Sequence, residues 1–305
     1  MNRITSFAII CCFAFSSCQQ SGSETPTTES APSFSFDFEA IANQIAMQMA
    51  LQEGERVFLL AKPGTFDPLI SVLREKIAAT GATDLGIISV DSIAPASWST
   101  EFTKGAEGLD RPELIEYFDD VDLGIMMPGA TAYDLAYAAM QDVLRRDKGR
   151  TVHFHWEGAY DLNGSLLEID DKINAFYQNV LAETDYAALS QTQQAFESAM
   201  RNAVVRVTTP EGTDIRFEIG DRPVTKQDGD ASAVRSESAL NLIDREIELP
   251  AGAIRVAPIE ETVHGVIAFP DGEWAGQPAK GVKMTFEKGK LTNFNVSEGQ
   301  EAVFN

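Results

Sequence analysis

Val57-Phe58-Leu59-Leu60-Ala61 is the stretch that decides the fold. Five apolar residues follow one another without alternation, which is how a strand buried on both faces of a parallel sheet reads. Upstream, Phe38, Ile41, Ile45 and Met49 recur at helical spacing, and Gly54 is the expected close of that helix. Downstream, Asp67 opens a helix with Leu69, Leu73 and Ile77 on one face and Gly81 at its end. The alternation continues through a strand at Leu85 to Val90, a short helix at Pro112 to Phe118 and a strand at Leu123 to Met127. Ala132, Leu135, Ala136, Ala139, Met140 and Val143 form a further helix face, and Thr151 to Trp156 reads as the last strand. Residues 36–160 are thus predicted to form an α/β domain, an open doubly wound sheet with helices on both faces.

Beyond it, residues 161–202 read as connecting helices. Ile169, Ile173, Phe176, Tyr177 and Val180 mark the first, and Thr184 is the expected cap of a second that runs to Asn202. From Ala203 the period changes to two. Val205 and Val207, then Ile215, Phe217 and Ile219, alternate about the turn Pro210-Glu211-Gly212. Further strands are expected at Ile254–Ala257, Val263–Phe269, Val282–Phe286 and Leu291–Val296. Pro270-Asp271-Gly272 and Lys288-Gly289 supply turns between them. Residues 203–305 are therefore predicted to be a β-rich α+β domain.

The amino end has a different character. Asn2 and Arg3 give a short positive start, and Ile4 to Phe15 is apolar. About a dozen apolar residues are too few to span a bilayer but suit a signal-peptide core. Phe15-Ser16-Ser17-Cys18 resembles a bacterial lipobox, with Phe15 where Leu, Val or Ile is usual. Residues 1–17 are expected to be a signal peptide and Cys18 the site of lipidation. All three cysteines, Cys11, Cys12 and Cys18, lie in this segment, so the rest of the chain has no thiol chemistry and no disulfide. Residues 18–35, rich in Ser, Thr, Pro, Glu and Gly, read as a flexible tether with little to bury. The expected location is the bacterial cell envelope, with the membrane reached through the lipid anchor.

The net charge of −22, from 46 acidic and 24 basic residues, argues against nucleic acid as a partner. It also disfavours direct contact with an anionic membrane surface. At 44% apolar and 9% aromatic, the chain has globular composition.

Three places invite a chemical reading. Lys62-Pro63-Gly64-Thr65 joins a strand to a helix, where backbone N–H groups can hold an anion, but it matches neither dinucleotide nor P-loop spacing and reads as a turn. His153, His155 and Glu157 alternate on the last α/β strand, so two imidazoles and a carboxylate share a face and suit zinc with an open position. The competing reading is a pair of hydrogen-bonded histidines near a strand end. Glu260, Glu261 and His264 bring carboxylate and imidazole close in sequence for acid–base work. The competing reading there is a solvated acidic loop.

Val207-Thr208-Thr209-Pro210-Glu211-Gly212-Thr213-Asp214-Ile215 resembles the N-P-E-G-T-D-L hairpin of the aminopeptidase T (thermophilic metallopeptidase) family. Leu249-Pro250-Ala251-Gly252-Ala253-Ile254-Arg255-Val256-Ala257-Pro258 resembles its N-L-P-G-G-E-V-F-T-A-P segment. Glu260-Glu261-Thr262-Val263-His264-Gly265 looks like the following E-D-S-V-N-G, and Glu53-Gly54-Glu55-Arg56-Val57 like the start of its α/β domain. The resemblance implies a two-metal exopeptidase scaffold and a possible homodimer. It also implies that a metal-ligating glutamate is replaced here by Ala253, and that no other family ligand is expected in the sequence to Asn305. Two functions follow as expectations. One is a catalytically degenerate, lipid-anchored relative that binds or scaffolds without a cofactor. The other is an active aminopeptidase or hydrolase using a divalent metal such as zinc at a rebuilt or partner-completed site.

Overall fold

In a computed structural model, residues 34–156, 169–274 and 276–304 are described. The expected signal peptide, Cys18 and most of the expected tether lie outside them, as does Glu157. The described chain is already docked at Phe34, whose N–H donates to the Asp171 carboxylate at 3.2 Å.

Helix α1 (Phe38–Met49) is capped by the Asp37 carboxylate, which accepts from the Ala40 N–H. It ends earlier than the sequence suggested. Ala50 takes the left-handed conformation and closes the helix, whereas Gly54 turns the chain into the next strand with its N–H on the Gly81 carbonyl. Strand β1 (Arg56–Ala61) leads to α2 (Asp67–Ala79) and β2 (Thr83–Ser89). Two short helices follow, α3 (Glu101–Ala106) and α4 (Arg111–Tyr117), each opened by a reciprocal capping box. Then come β3 (Leu123–Met126), α5 (Leu135–Leu144) and β4 (Arg150–Phe154). Ala132 falls in the turn before α5, not on its face, because Asp134 stands at the N-cap.

Alternate residues of β1 enter two cores. Val57, Leu59 and Ala61 pack with Ile41, Ile45, Leu69, Leu73 and Ile77 of α1 and α2. Phe58 and Leu60 pack with Leu114, Phe118, Ala139, Met140 and Val143 around α4 and α5. Each large aliphatic side chain so buried contributes roughly 1.5–3 kcal/mol. Helices thus cover both faces, as the uninterrupted apolar run of β1 requires.

Helix α6 (Asp171–Glu183) lies against α1, with Leu181 buried and Tyr177 packed on the same core. The next helix, α7 (Tyr186–Arg201), is capped by Asp185, whose carboxylate accepts from the Ala188 N–H. Thr184 instead closes α6, its hydroxyl donating to the Val180 carbonyl.

After β5 (Val205–Thr208), β6 (Asp214–Phe217), β7 (Val224–Lys226) and α8 (Ala233–Glu237), the chain returns to the first sheet as β8 (Glu246–Leu249). It pairs parallel with β4, Val152 opposite Ile247 and Phe154 opposite Leu249. The first sheet therefore has the order β2-β1-β3-β4-β8, all parallel, and β4 is not its last strand. The sequence disguises β8 because Glu246 and Glu248 alternate with the buried Ile247 and Leu249.

Next are β9 (Ile254–Val256), β10 (His264–Ala268), β11 (Gly272–Trp274), β12 (Gln277–Ala279), β13 (Lys283–Glu287), β14 (Lys290–Asn295) and α9 (Gln300–Phe304). A second sheet, antiparallel throughout, runs β14-β13-β10-β6-β5. Strand β9 pairs with β7, and β11 with β12. At Gly265 the backbone of β10 lies close against β6. Its φ is +128°, and a Cβ there would lie 2.2 Å from the Asp214 carbonyl oxygen.

Candidate functional site

Strand β4 is buried along its whole length, so His153 enters the protein and not the solvent. Its side chain is 4% exposed. Both ring nitrogens have partners. The Tyr137 hydroxyl, from α5, is 2.8 Å from Nδ1, and the Thr151 hydroxyl is 2.9 Å from Nε2. Gln141, one turn after Tyr137, brings its amide to 3.5 Å from Nε2. Glu246 of β8 brings a carboxylate oxygen to the same distance, 3.5 Å.

Burial first, and then the neighbouring His155, push the His153 imidazole down to about 3. At neutral pH the ring is uncharged, and the approach of Glu246 is a contact with a neutral imidazole, not an ion pair. Burial, followed by the Glu246 and Glu248 carboxylates, pushes the Tyr137 phenol up to about 12. Glu246 itself is raised, chiefly by burial and then by Glu248, against a lowering hydrogen bond from Gln141. The cluster is a proton-holding network of neutral donors and acceptors beside two carboxylates. Chemically it can orient a tautomer and keep a proton in place.

His155 follows the end of β4 and is exposed. Its N–H donates to the Leu249 carbonyl at 2.8 Å. The two imidazoles face the same side, as two-residue spacing requires, with ring centroids 5.9 Å apart. The third member of the expected zinc set, Glu157, lies outside the described residues.

Glu260 and Glu261 sit in a short turn, Glu260–Thr262, and His264 opens β10; all three are exposed. Glu260 accepts from Arg222 at 2.5 Å, and His264 stands opposite Arg216 and Glu287 in the sheet register. Among the described residues no three His, Cys, Asp or Glu side chains gather as a metal site would need. Ala253 lies just before β9, its carbonyl accepting from the Gln227 N–H at 2.8 Å. The loop at Lys62 is a turn whose Gly64 N–H is already bonded to the Asp67 carboxylate at 3.0 Å. Asp67 therefore takes the place an anion would need.

The structure aligns with aminopeptidase T from Thermus thermophilus at a TM-score of 0.53, over 86% of this chain and 72% of that one, with 14% identity. The fold is aminopeptidase-T-like. Two other alignments are far looser. One is to a mutant of C-DES with glycine covalently linked to its PLP cofactor, and the other to a cysteine desulfurase from Thermococcus onnurineus. Their TM-scores are 0.25 and 0.24, at 13% and 8% identity, each over 61% of this chain and over 66% and 63% of theirs. No family model matches the chain, and no curated protein does.

Sequence reasoning singled out His153 but missed its partners. Tyr137 and Gln141 lie on one face of α5 at four-residue spacing, a signal that was present. Glu246 carried no such signal, because only the parallel pairing of β8 with β4 brings it to the histidine.

Proposed function

We propose that this chain is a lipid-anchored envelope protein that keeps an aminopeptidase-T-like scaffold for binding and not for peptide hydrolysis. The observation that carries this reading is the setting of His153: buried, with the Tyr137 and Thr151 hydroxyls on its two ring nitrogens, it presents no open nitrogen to a metal. Ala253 supports it. By the sequence resemblance it stands where the family has its first ligating glutamate, and it has no side-chain donor. Two divalent cations held close together repel strongly and need several anionic ligands to assemble. Glu260 is engaged by Arg222, which makes it a poor substitute. The anchoring part rests on the apolar leader and on Cys18, followed by a segment with little to bury.

The test is metal content together with amino-acid release from unblocked peptides by the purified protein, with added zinc, cobalt or manganese. The expected result is no stoichiometric metal and no chelator-sensitive release. Release that a chelator abolishes would establish the alternative, an active hydrolase with a rebuilt or partner-completed site.

A further inference from the structure

The first sheet leaves a crevice at its carboxyl end. Open α/β sheets take ligands outside the carboxyl ends of their strands. A cavity of about 910 Å³ lies over the ends of β1 and β2, bounded by α3 and by the start of α5. That volume is within the range of small-molecule sites.

Its floor is apolar, with Leu60, Ile88, Trp98 and Leu114. Its edge carries large apolar groups in solvent. Tyr133 is 98% exposed and Leu135 57% exposed, and Ile93 is exposed between the lining residues Ser92 and Ala94. The charge on the lining has one sign. Asp91, Glu107 and Asp134 contribute carboxylates, whereas among the described residues no Lys, Arg or His lines the cavity. Asp134 is used by the fold, accepting from the Thr131 N–H at 2.6 Å. Asp91 and Glu107 are exposed, with no side-chain hydrogen bond or ion pair among the described residues.

We propose that this cleft binds a small amphipathic amine: an organic cation whose apolar body lies on the Leu60–Ile88–Leu114 floor and whose ammonium meets Asp91 and Glu107. An apolar floor gives affinity without regard to charge, and the carboxylates then select the cation and reject an anion of the same shape. The inference is independent of both anchoring and peptidase chemistry, since none of its residues belongs to the His153 cluster or to the Ala253 segment.

The test is calorimetric titration of the purified full-length chain with phenylbutylamine, phenylbutanol and phenylbutyrate, three probes with one body and different heads. The amine is expected to bind once per chain and about tenfold tighter than the alcohol, with the acid weakest. Asp91→Asn with Glu107→Gln should weaken the amine about fivefold and leave the alcohol unchanged. Ala106→Trp, which fills the cleft from α3, should abolish binding of amine and alcohol alike. Thermal unfolding checks that both variants fold, and the Asp91 and Glu107 pair decides the test alone if the tryptophan variant does not. Absence of amine binding, equal affinity for amine and alcohol, or amine binding untouched by the carboxylate pair would each overturn the proposal.

Discussion

The Arg150 guanidinium holds the Glu55 carboxylate with two prongs, at 2.7 and 3.1 Å, in a site where the two side chains are 3% and 12% exposed. The same guanidinium donates to the Ala231 carbonyl at 2.6 Å and reaches the Met49 carbonyl at 3.5 Å. One side chain thus ties β4 to the end of α1, to the entry of β1 and to the segment before α8. Planarity and five donors suit arginine to this task in a way that lysine cannot match.

Removing one partner of such a pair strands the other charge away from water. Arg150→Met is expected to cost about 3–5 kcal/mol of unfolding free energy, read from the denaturant midpoint. Arg150→Met combined with Glu55→Leu should lose less than the single change, because no orphan charge remains. A double variant that is weaker than the single one by the full cost of a second buried group would contradict this account.

His153 makes stability depend on pH in a defined direction. Its folded value, about 3, lies below the ordinary histidine value of 6.5. Below pH 6.5 the unfolded chain takes up a proton that the folded chain refuses, so stability falls as pH drops towards 3 and is unaffected above 6.5. The expected loss between about pH 7 and pH 5 is on the order of 1–2 kcal/mol from this group. Glu246, with its raised value, acts in the opposite sense above the usual glutamate range, favouring the folded state where it is protonated. The wild type minus His153→Gln difference isolates the histidine, and a variant with the same slope over that interval would refute the assignment.

Gly265 offers a steric test. A methyl group there meets the Asp214 carbonyl oxygen at 2.2 Å on a backbone with φ of +128°. Gly265→Ala is expected to destabilise by about 2 kcal/mol or more and to loosen the β10–β6 pairing. Hydrogen exchange at Ile215 and Val266 should report it, and unchanged protection would mean that the sheet accommodates the methyl group.

Cys18→Ser tests the anchor. Fatty-acid labelling of the expressed chain should vanish, and exported protein should move from the membrane to the soluble fraction. Labelling that persists in the variant would remove the basis for lipidation at this residue.

Much of the first sheet was legible in the sequence because its strands are covered on both faces. Val57 to Ala61 needs two apolar layers and could be read without knowing either. Glu246-Ile247-Glu248-Leu249 was not legible, since a strand with one apolar face announces itself only weakly in four residues. The end of α1 is concealed for a similar reason: Ala50 accepts a left-handed conformation that glycine usually takes, so the sequence points to Gly54 instead. The histidine was found and its environment was not, because Tyr137 and Glu246 meet it only through the packing of α5 and β8 on β4.

The late return of β8 has a consequence for how the chain is made. A ribosome delivers residues from the amino end, so β4 is complete while Glu246 to Leu249 are still to come. Until they arrive, the Arg150–Phe154 edge offers unpaired N–H and C=O groups to any strand that passes. Folding of the first sheet therefore cannot finish where its helices end. It waits for the chain to travel through three further strands, β5, β6 and β7, and come back to close that edge.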